Sequence, residues 1–228
     1  MSALRKMIDN YPYIQYSKES YDTETTAARS RAFLEWMDLR RTVREFSDRP
    51  VAKEVIDKIL LAASTAPSGA HKQPWTFCAV QNPALKKTIR EAAEKEEYES
   101  YHNRMSDEWL EALKPLGTDW HKPFLEIAPW LIVVCKKSYD YREDGSKSNN
   151  YYVTESVGIA CGFLLTAIHH AGLAALTHTP SPMNFLAKLL NRPENEKAFL
   201  LVPVGYPAPE CYVPDIKRRL LSEVAVYY

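Results

Sequence analysis

The chain has 228 residues, with 29 lysine and arginine residues balanced by 29 aspartate and glutamate residues, and 46% of it is hydrophobic. That length accommodates one globular domain or at most two, and a net charge of zero provides no field that would draw the protein to nucleic acid or to an anionic membrane. The N-terminus lacks the apolar core of a signal peptide, so we expect a cytoplasmic protein that associates with neither nucleic acid nor membrane.

Cysteine and glycine usage argues against several classes of site. The four cysteines, Cys78, Cys135, Cys161 and Cys211, are far apart and form no CxxC or Cys/His pattern, so we expect free thiols and no bound metal. Glycine is scarce, with 7 residues, and neither GxxxxGK nor GxGxxG occurs. The sequence therefore carries no signature of a P-loop ATPase or of a Rossmann dinucleotide site.

Hydrophobic periodicity predicts the elements in chain order. Residues 1–24 are polar and rich in tyrosine, and we expect an extended N-terminal arm there. Beyond them, helical spacing alternates with β-branched or aromatic runs. Helices are predicted at 25–39, 53–65, 82–101, 151–171 and 184–190, and strands at 75–81, 130–136, 173–178 and 198–205. We therefore predict a single α+β domain over 1–228, with a mixed central sheet flanked by helices.

Two parts of the predicted domain are less regular. Residues 94–122 are highly charged and their apolar positions keep no sustained helical period, so we expect this segment to be a mobile active-site lid. The tail at 208–228 is too long and too apolar at its end for a free terminus. We expect this C-terminal extension to pack on a second subunit.

A basic cluster follows the first predicted helix. Arg40, Arg41 and Arg44 place three guanidinium groups within five residues, with Thr42 between them. Such cations can simply offset the dipole at a helix end. Alternatively, one guanidinium can bind a phosphate through two hydrogen bonds, and another can lie against an electron-rich ring. The cluster alone leaves both interpretations open.

A turn rich in proline and glycine follows the second predicted helix. In Pro67-Ser68-Gly69-Ala70, proline fixes one backbone angle and glycine permits conformations that other residues avoid. Gln73-Pro74-Trp75 then leads into a predicted strand. A turn of this kind can present several backbone N–H groups to one ligand.

The basic cluster and this turn, in this order, resemble the FMN-binding signature of the nitroreductase-like flavoproteins. The resemblance implies a nitroreductase-like fold and an intertwined homodimer. It also implies a set of FMN contacts: Arg40 and Arg218 at the phosphate, Thr42 and Arg44 at the pyrimidine edge of the flavin, Arg41 beside them, and Pro67, Ser68 and Gly69 reaching the flavin of the neighbouring subunit. Arg219 is the alternative to Arg218, because the two residues are adjacent.

The threonines at the end of a predicted strand extend the resemblance. Thr177, His178 and Thr179 lie where this family contacts flavin N5, and the iodotyrosine deiodinases carry a run of threonines there. The resemblance implies FMN contacts from all three residues. It makes Thr177 a catalytic donor to N5, which favours one-electron steps over hydride transfer. The alternative is that the hydroxyl groups of Thr177 and Thr179 have no contact with flavin and only cap the following turn.

An acidic residue, a tyrosine and a lysine form the most discriminating set. Glu97 and Tyr101 are four residues apart, so one helical face would carry both, and Lys122 follows downstream. An α-amino-acid zwitterion needs an anion for its ammonium group and donors for its carboxylate, which this set would supply. The alternative is a solvated acidic helix face. Ordinary nitroreductases do not usually carry this combination, whereas the iodotyrosine deiodinases do.

Together these motifs resemble the iodotyrosine deiodinases and imply an FMN-dependent oxidoreductase. It would reductively remove iodide, and by extension bromide or chloride, from 3-halotyrosines, with the backbone N–H of Ala70 on the substrate phenolate. An electron donor is required, either NAD(P)H directly or NAD(P)H through a reductase. The alternatives are a general NAD(P)H-dependent nitroreductase, which does not need Glu97, Tyr101 and Lys122, and a flavin-binding protein without turnover.

Overall fold

The computed structural model describes residues 4–16 and 18–228 and divides the chain into two compact units, Met1–Arg40 and Arg41–Tyr228. The sequence had suggested one domain with an arm that ends at residue 24. Helix α1 (Thr23–Asp38) belongs to the first unit, and none of its residues is buried. Its first turn is capped by Asp22, whose side chain accepts a hydrogen bond from the Thr25 N–H at 2.7 Å. The single domain over 1–228 stays a prediction.

The first unit contains a β-hairpin where we predicted an extended arm. Strands β1 (Arg5–Ile8) and β2 (Tyr11–Ile14) pair in antiparallel fashion. Asp9 and Asn10 connect them with φ angles of 48° and 68°. Two residues with positive φ form the tight turn that matches the twist of the strands, and Asp and Asn tolerate that region better than most residues. The extended-arm prediction missed this turn signal.

The second unit is built on a four-stranded sheet. The strands of this unit are β3 (Trp75–Val80), β4 (Trp130–Lys137), β5 (Tyr139–Tyr141), β6 (Lys147–Asn149), β7 (Ala174–Ala175) and β8 (Glu196–Gly205). The sheet has the order β3-β4-β8-β7, and each of these strands is antiparallel to its neighbours. Thr42 adds a parallel bridge to Ala175, so the sheet is mixed, as predicted. Strands β5 and β6 form a separate hairpin that the sequence analysis did not predict.

Helices flank the sheet. They are α2 (Lys53–Ala63), α3 (Pro83–Glu99), α4 (Asp107–Leu113), α5 (Phe124–Ile127), α6 (Val153–His170), α7 (Asn184–Leu189) and α8 (Leu221–Val224). The predicted helices at 53–65, 82–101, 151–171 and 184–190 are confirmed apart from a few terminal residues. Helices α4, α5 and α8 were not predicted. Within residues 4–16 and 18–228, no helix has the length and apolar character needed to cross a membrane.

Strand β4 separates two hydrophobic cores. Its even-numbered residues from Trp130 to Val134 belong to a cluster with residues of α2 and α6. Its odd-numbered residues from Leu131 to Cys135 belong to a cluster with residues of α3, α5 and α7. Successive side chains of a strand point to opposite faces, so a run that is apolar at every position is buried on both. The predicted strand at 130–136 is confirmed.

Residues 94–122 are more regular than their sequence indicated. Helix α3 continues to Glu99, a π-turn spans Ser100–Arg104, and α4 follows with Ser106 as its side-chain cap. A 3₁₀ turn over Lys114–Leu116 follows α4. The role of 94–122 as a mobile lid stays a prediction.

A buried lysine joins α3 to the end of α5. Lys86 donates hydrogen bonds from Nζ to the carbonyl oxygens of Glu126 and Ala128, at 2.8 and 2.7 Å. Burial lowers the pKa of this ammonium group. These carbonyls lie at the C-terminal end of a helix, where a cation is favoured by the helix dipole. Lys86 therefore holds the segment that leads into β4.

We expect Lys86→Met to lower the free energy of unfolding by about 1–3 kcal/mol, because the methionine fills the space but leaves both carbonyls without this donor. Urea denaturation measures the change. Lys87→Met is the matched control, since the Lys87 side chain is 59% exposed, and it should change the free energy of unfolding by less than about 0.5 kcal/mol. Equal effects of the two substitutions would contradict a capping role for Lys86.

Candidate active site

A cleft of about 500 Å³ opens between the end of α3, the segment that follows it and the chain after β7. Seven predicted site residues line it: Arg44, Glu97, Tyr101, Lys122, Thr177, His178 and Thr179. Its apolar lining includes Met105, Trp109, Leu113, Phe124, Leu176 and Met183. The cleft thus combines a few charged groups with an apolar wall, as small-molecule sites usually do.

A buried ion pair lies in this cleft. Lys122 Nζ is 3.5 Å from Glu97 Oε2, and the two side chains are 4% and 10% exposed. Burial raises the pKa of Glu97 and lowers the pKa of Lys122, and the attraction between the two charges opposes both shifts. The backbone N–H of Lys122 donates to Glu94 Oε1 at 2.8 Å, which attaches this loop to α3. An anion and a cation therefore stand side by side in a cleft of substrate size.

Tyr101 completes the predicted set. Its hydroxyl group donates to the Thr118 carbonyl oxygen at 3.2 Å, and Lys122 Nζ lies 5.5 Å from its ring centroid. Burial raises the pKa of this phenol, which is therefore protonated at neutral pH. The structure brings together Glu97, Tyr101 and Lys122 from positions that span 26 residues of sequence.

Arg44 brings a second cation to the cleft. Its side chain is half-buried and donates to the Leu116 carbonyl oxygen at a long 3.5 Å, and burial lowers its pKa. The chain before it is held against β7, because the Val43 N–H donates to the Ala175 carbonyl at 3.3 Å. A half-buried guanidinium with such a weak acceptor suits an electron-rich ring edge or an anionic ligand.

The residues after β7 alternate in exposure. The predicted strand at 173–178 forms a ladder only at Ala174–Ala175, and His178 then exchanges backbone hydrogen bonds with Leu201 of β8 at 2.8 and 3.0 Å. Because this backbone is extended, Thr177 and Thr179 are exposed and His178 between them is buried. All three residues line the cleft.

The turn predicted to reach a neighbouring subunit lies outside the described cleft lining. Ala70 has a φ of 50°, and the Ser68 hydroxyl accepts a hydrogen bond from the Gln73 N–H at 2.9 Å. The Gly69 N–H donates to Ser156 Oγ at 3.3 Å. A Cβ at Gly69 would lie 2.8 Å from the Tyr151 carbonyl oxygen, so this position requires glycine.

The predicted phosphate ligands, Arg40 and Arg218, and the predicted cofactor contact Arg41 also lie outside the cleft lining. Arg41 donates from Nη2 to the Pro214 carbonyl oxygen, and the Tyr212 N–H donates to Glu45 Oε2 at 2.7 Å. These contacts bring the C-terminal segment that carries the exposed Arg218 beside the basic cluster. Arg40 ends the first unit, where its backbone N–H donates to the Met37 carbonyl at 3.1 Å.

Sequence reasoning missed one charged residue of the cleft. Arg104 Nη1 donates to the Ser181 carbonyl oxygen at 2.8 Å and lies 3.0 Å from Glu96 Oε2. The sequence carried a signal, because positions 97, 101 and 104 share one face of a regular α-helix.

The chain is similar to known proteins in sequence and in fold. Residues 38–206 match the sequence profile of the nitroreductase family. The chain is 63% identical over 216 residues to an iodotyrosine deiodinase from Haliscomenobacter hydrossis, covering 95% of this chain and 97% of that protein. It is 43% identical to human iodotyrosine deiodinase 1, covering 96% and 76%. A crystal structure of oxidized iodotyrosine deiodinase bound to FMN and 3-iodo-L-tyrosine superposes with a TM-score of 0.72 at 31% identity, covering 86% and 97%.

Proposed function

The chain belongs to the nitroreductase family and, within it, to the iodotyrosine deiodinases, and we propose that it reductively removes halide from 3-halotyrosines with FMN to give tyrosine. The observation that carries this proposal is the buried pair of Glu97 and Lys122 beside Tyr101 in the cleft. FMN supplies the electrons when bound, in one-electron steps. The residues of the chain bind, orient and shield the substrate.

The residues present fit an FMN molecule. Arg44 has a long contact to one carbonyl at the cleft, so a flavin pyrimidine edge would give this guanidinium a better acceptor. Thr177 and Thr179 are exposed and line the same cleft, and Thr177 is our candidate donor to flavin N5. The strained backbone near Ala70 suits a turn that offers N–H groups to a ligand.

The charged groups fit an amino-acid substrate. Glu97 would accept hydrogen bonds from the α-ammonium group, while Lys122 and Tyr101 would donate to the α-carboxylate. Both charges of the protein are already desolvated, so a zwitterion that replaces their missing hydration is favoured over a neutral molecule. Holding the α-carbon in this way orients the halogenated ring relative to the flavin.

A general nitroreductase is the second candidate, since it shares the FMN residues. A nitroarene carries no ammonium or carboxylate for the buried pair, so the pair favours the halotyrosine. A flavin-binding protein without turnover needs no buried substrate clamp at all.

The direct test is iodide release. The FMN-loaded protein with dithionite should convert 3-iodotyrosine to tyrosine and free iodide, and titration with diiodotyrosine should quench flavin fluorescence. Glu97→Gln should weaken that binding by at least about tenfold with FMN content unchanged, because the amide keeps the shape and loses the charge. Glu91→Gln, at an exposed position of the same helix, is the control. Nitroarene turnover without iodide release would refute the proposal.

We propose that Arg218 binds the FMN phosphate. The support is the hydrogen bond from Arg41 to Pro214, which brings the C-terminal segment beside the basic cluster. Arg218→Ala should lower FMN affinity at least about tenfold, because a charge-assisted phosphate contact is lost. Arg219→Ala is the adjacent control, and fluorimetric titration of the apoprotein measures both. A larger loss of FMN affinity in Arg219→Ala would make Arg219 the phosphate ligand. Unchanged FMN affinity in both variants would show that this segment does not bind the phosphate.

We propose that the protein is a homodimer whose sites lie at the subunit interface. Ile159 and Phe163 form an exposed stripe on α6, and Gly158 and Gly162 leave open space beside it. Such a stripe suits close packing with a second copy. The turn at Pro67–Ala70 would then reach the partner's flavin.

Light scattering should give twice the mass of one chain. Phe163→Glu should yield a monomer that has lost FMN, since a charge on the stripe opposes packing. A wild-type monomer that retains FMN would contradict the dimer.

A further inference from the structure

His178 is a buried histidine of the cleft that the proposed reaction leaves without a role. Its side chain is 7% exposed, and its Nε2 atom has no hydrogen-bond partner within the described part of the chain. The ring nitrogen that approaches a charged group of the cleft is the other one, Nδ1.

Two contacts fix the position of the His178 ring, one to its backbone and one to the ring itself. Its backbone is fixed to Leu201 by two hydrogen bonds, and its ring meets Phe124 edge-on, with centroids 5.9 Å apart and planes at 89°. This placement puts Nδ1 3.9 Å from Glu97 Oε1. The imidazole therefore faces one carboxylate oxygen while Lys122 faces the other.

The charge state of the ring decides what it offers to Glu97. Burial, together with the nearby cations Lys122 and Arg44, lowers the pKa of His178 to about 3. The imidazole is therefore neutral at neutral pH and carries one N–H. The adjacent carboxylate favours the tautomer with that proton on Nδ1. The distance of 3.9 Å is longer than a hydrogen bond, and such contacts often shorten only in the substrate complex.

Glu97 needs this second donor when substrate binds. In the structure its nearest cation is Lys122, which the substrate carboxylate would also engage. Burial raises the pKa of Glu97, whereas an N–H donor favours the charged carboxylate. A donor on Oε1 would also prevent the carboxylate from rotating as Lys122 turns to the substrate.

We propose that His178 is a positioning residue whose Nδ1–H holds the Glu97 carboxylate for the substrate ammonium group, and so selects halophenols that carry a free α-ammonium. This inference rests on the proposed function and deepens it. The family resemblance implied that His178 contacts the cofactor. The position of its side chain beside Glu97 points to the substrate side of the cleft instead.

Three substitutions separate the two ring nitrogens. His178→Phe keeps a ring against Phe124 and removes both nitrogens. His178→Asn places an amide N–H near the position of Nδ1, and His178→Gln places one near Nε2. Each FMN-loaded variant is titrated with 3-iodotyrosine and with 3-(4-hydroxy-3-iodophenyl)propionate, which keeps the phenol and the carboxylate but lacks the ammonium group. Flavin fluorescence reports binding.

We expect His178→Phe to weaken 3-iodotyrosine binding about five- to tenfold and to change propionate binding by less than about twofold. His178→Asn should recover most of the loss, and His178→Gln should not. Equal loss for both ligands would make His178 a purely structural residue. No loss, or rescue by glutamine rather than asparagine, would also overturn the proposal.

A measurement on the wild-type protein tests the proposal even if a variant fails to fold or to bind FMN. Nitrogen-15 NMR of the His178 ring should show the Nδ1–H tautomer, and an Nε2–H tautomer would refute the contact with Glu97. Wild-type protein that binds 3-iodotyrosine but releases no iodide would defeat the proposed reaction alone, since the ligand comparison would still stand. Wild-type protein that does not bind 3-iodotyrosine would defeat both.

Discussion

The cleft depends on one buried ion pair, between Glu97 on α3 and Lys122 in the loop before α5. Two charges removed from water are stable only with each other and with further polar partners. Lys122 accordingly donates to Thr118 Oγ1 at 3.3 Å and to the Asp119 carbonyl oxygen, so the backbone of its loop folds around the ammonium group. A buried ion pair is weak evidence for stability. Its position in a substrate-sized cleft therefore favours recognition of a charged ligand.

The register of the central sheet supplies the opposite wall. β4 is buried on both faces and holds β8 in place, and Leu201 of β8 fixes His178 through paired backbone hydrogen bonds. Around this pairing Thr177 and Thr179 are exposed and His178 is buried. The parallel bridge between Thr42 and Ala175 brings Arg44 to the same wall. This wall of the cleft is thus placed by strands and strand extensions, which are more rigid than loops.

The candidate FMN ligands fall into two groups. Arg44 and the two threonines line the cleft, whereas the turn at Pro67–Ala70 and the C-terminal segment lie elsewhere on the unit. The exposed stripe on α6 offers an explanation, because a second copy packed there would bring its own turn to the first copy's cleft. In this view dimerisation completes the site.

The sequence by itself determined the long periodic elements and the residue types of the site. α2, α6 and β4 were predictable because their apolar patterns are long and regular. Glu97 and Tyr101 were predictable as a pair because four-residue spacing places two side chains on one helical face. The motif near Arg40 identified the cofactor class. Local spacing was sufficient for the helices and strands, whereas the cofactor class and the roles of the site residues came from the resemblance to a known family.

Only the tertiary structure decided how these residues face each other. It extended α3 through a π-turn and added Arg104 to the cleft. It divided the chain into two compact units, Met1–Arg40 and Arg41–Tyr228. It also set His178 against Glu97, across about eighty residues of sequence. Such contacts depend on strand register and on the packing of distant elements, and neither leaves a periodic signal in the local sequence.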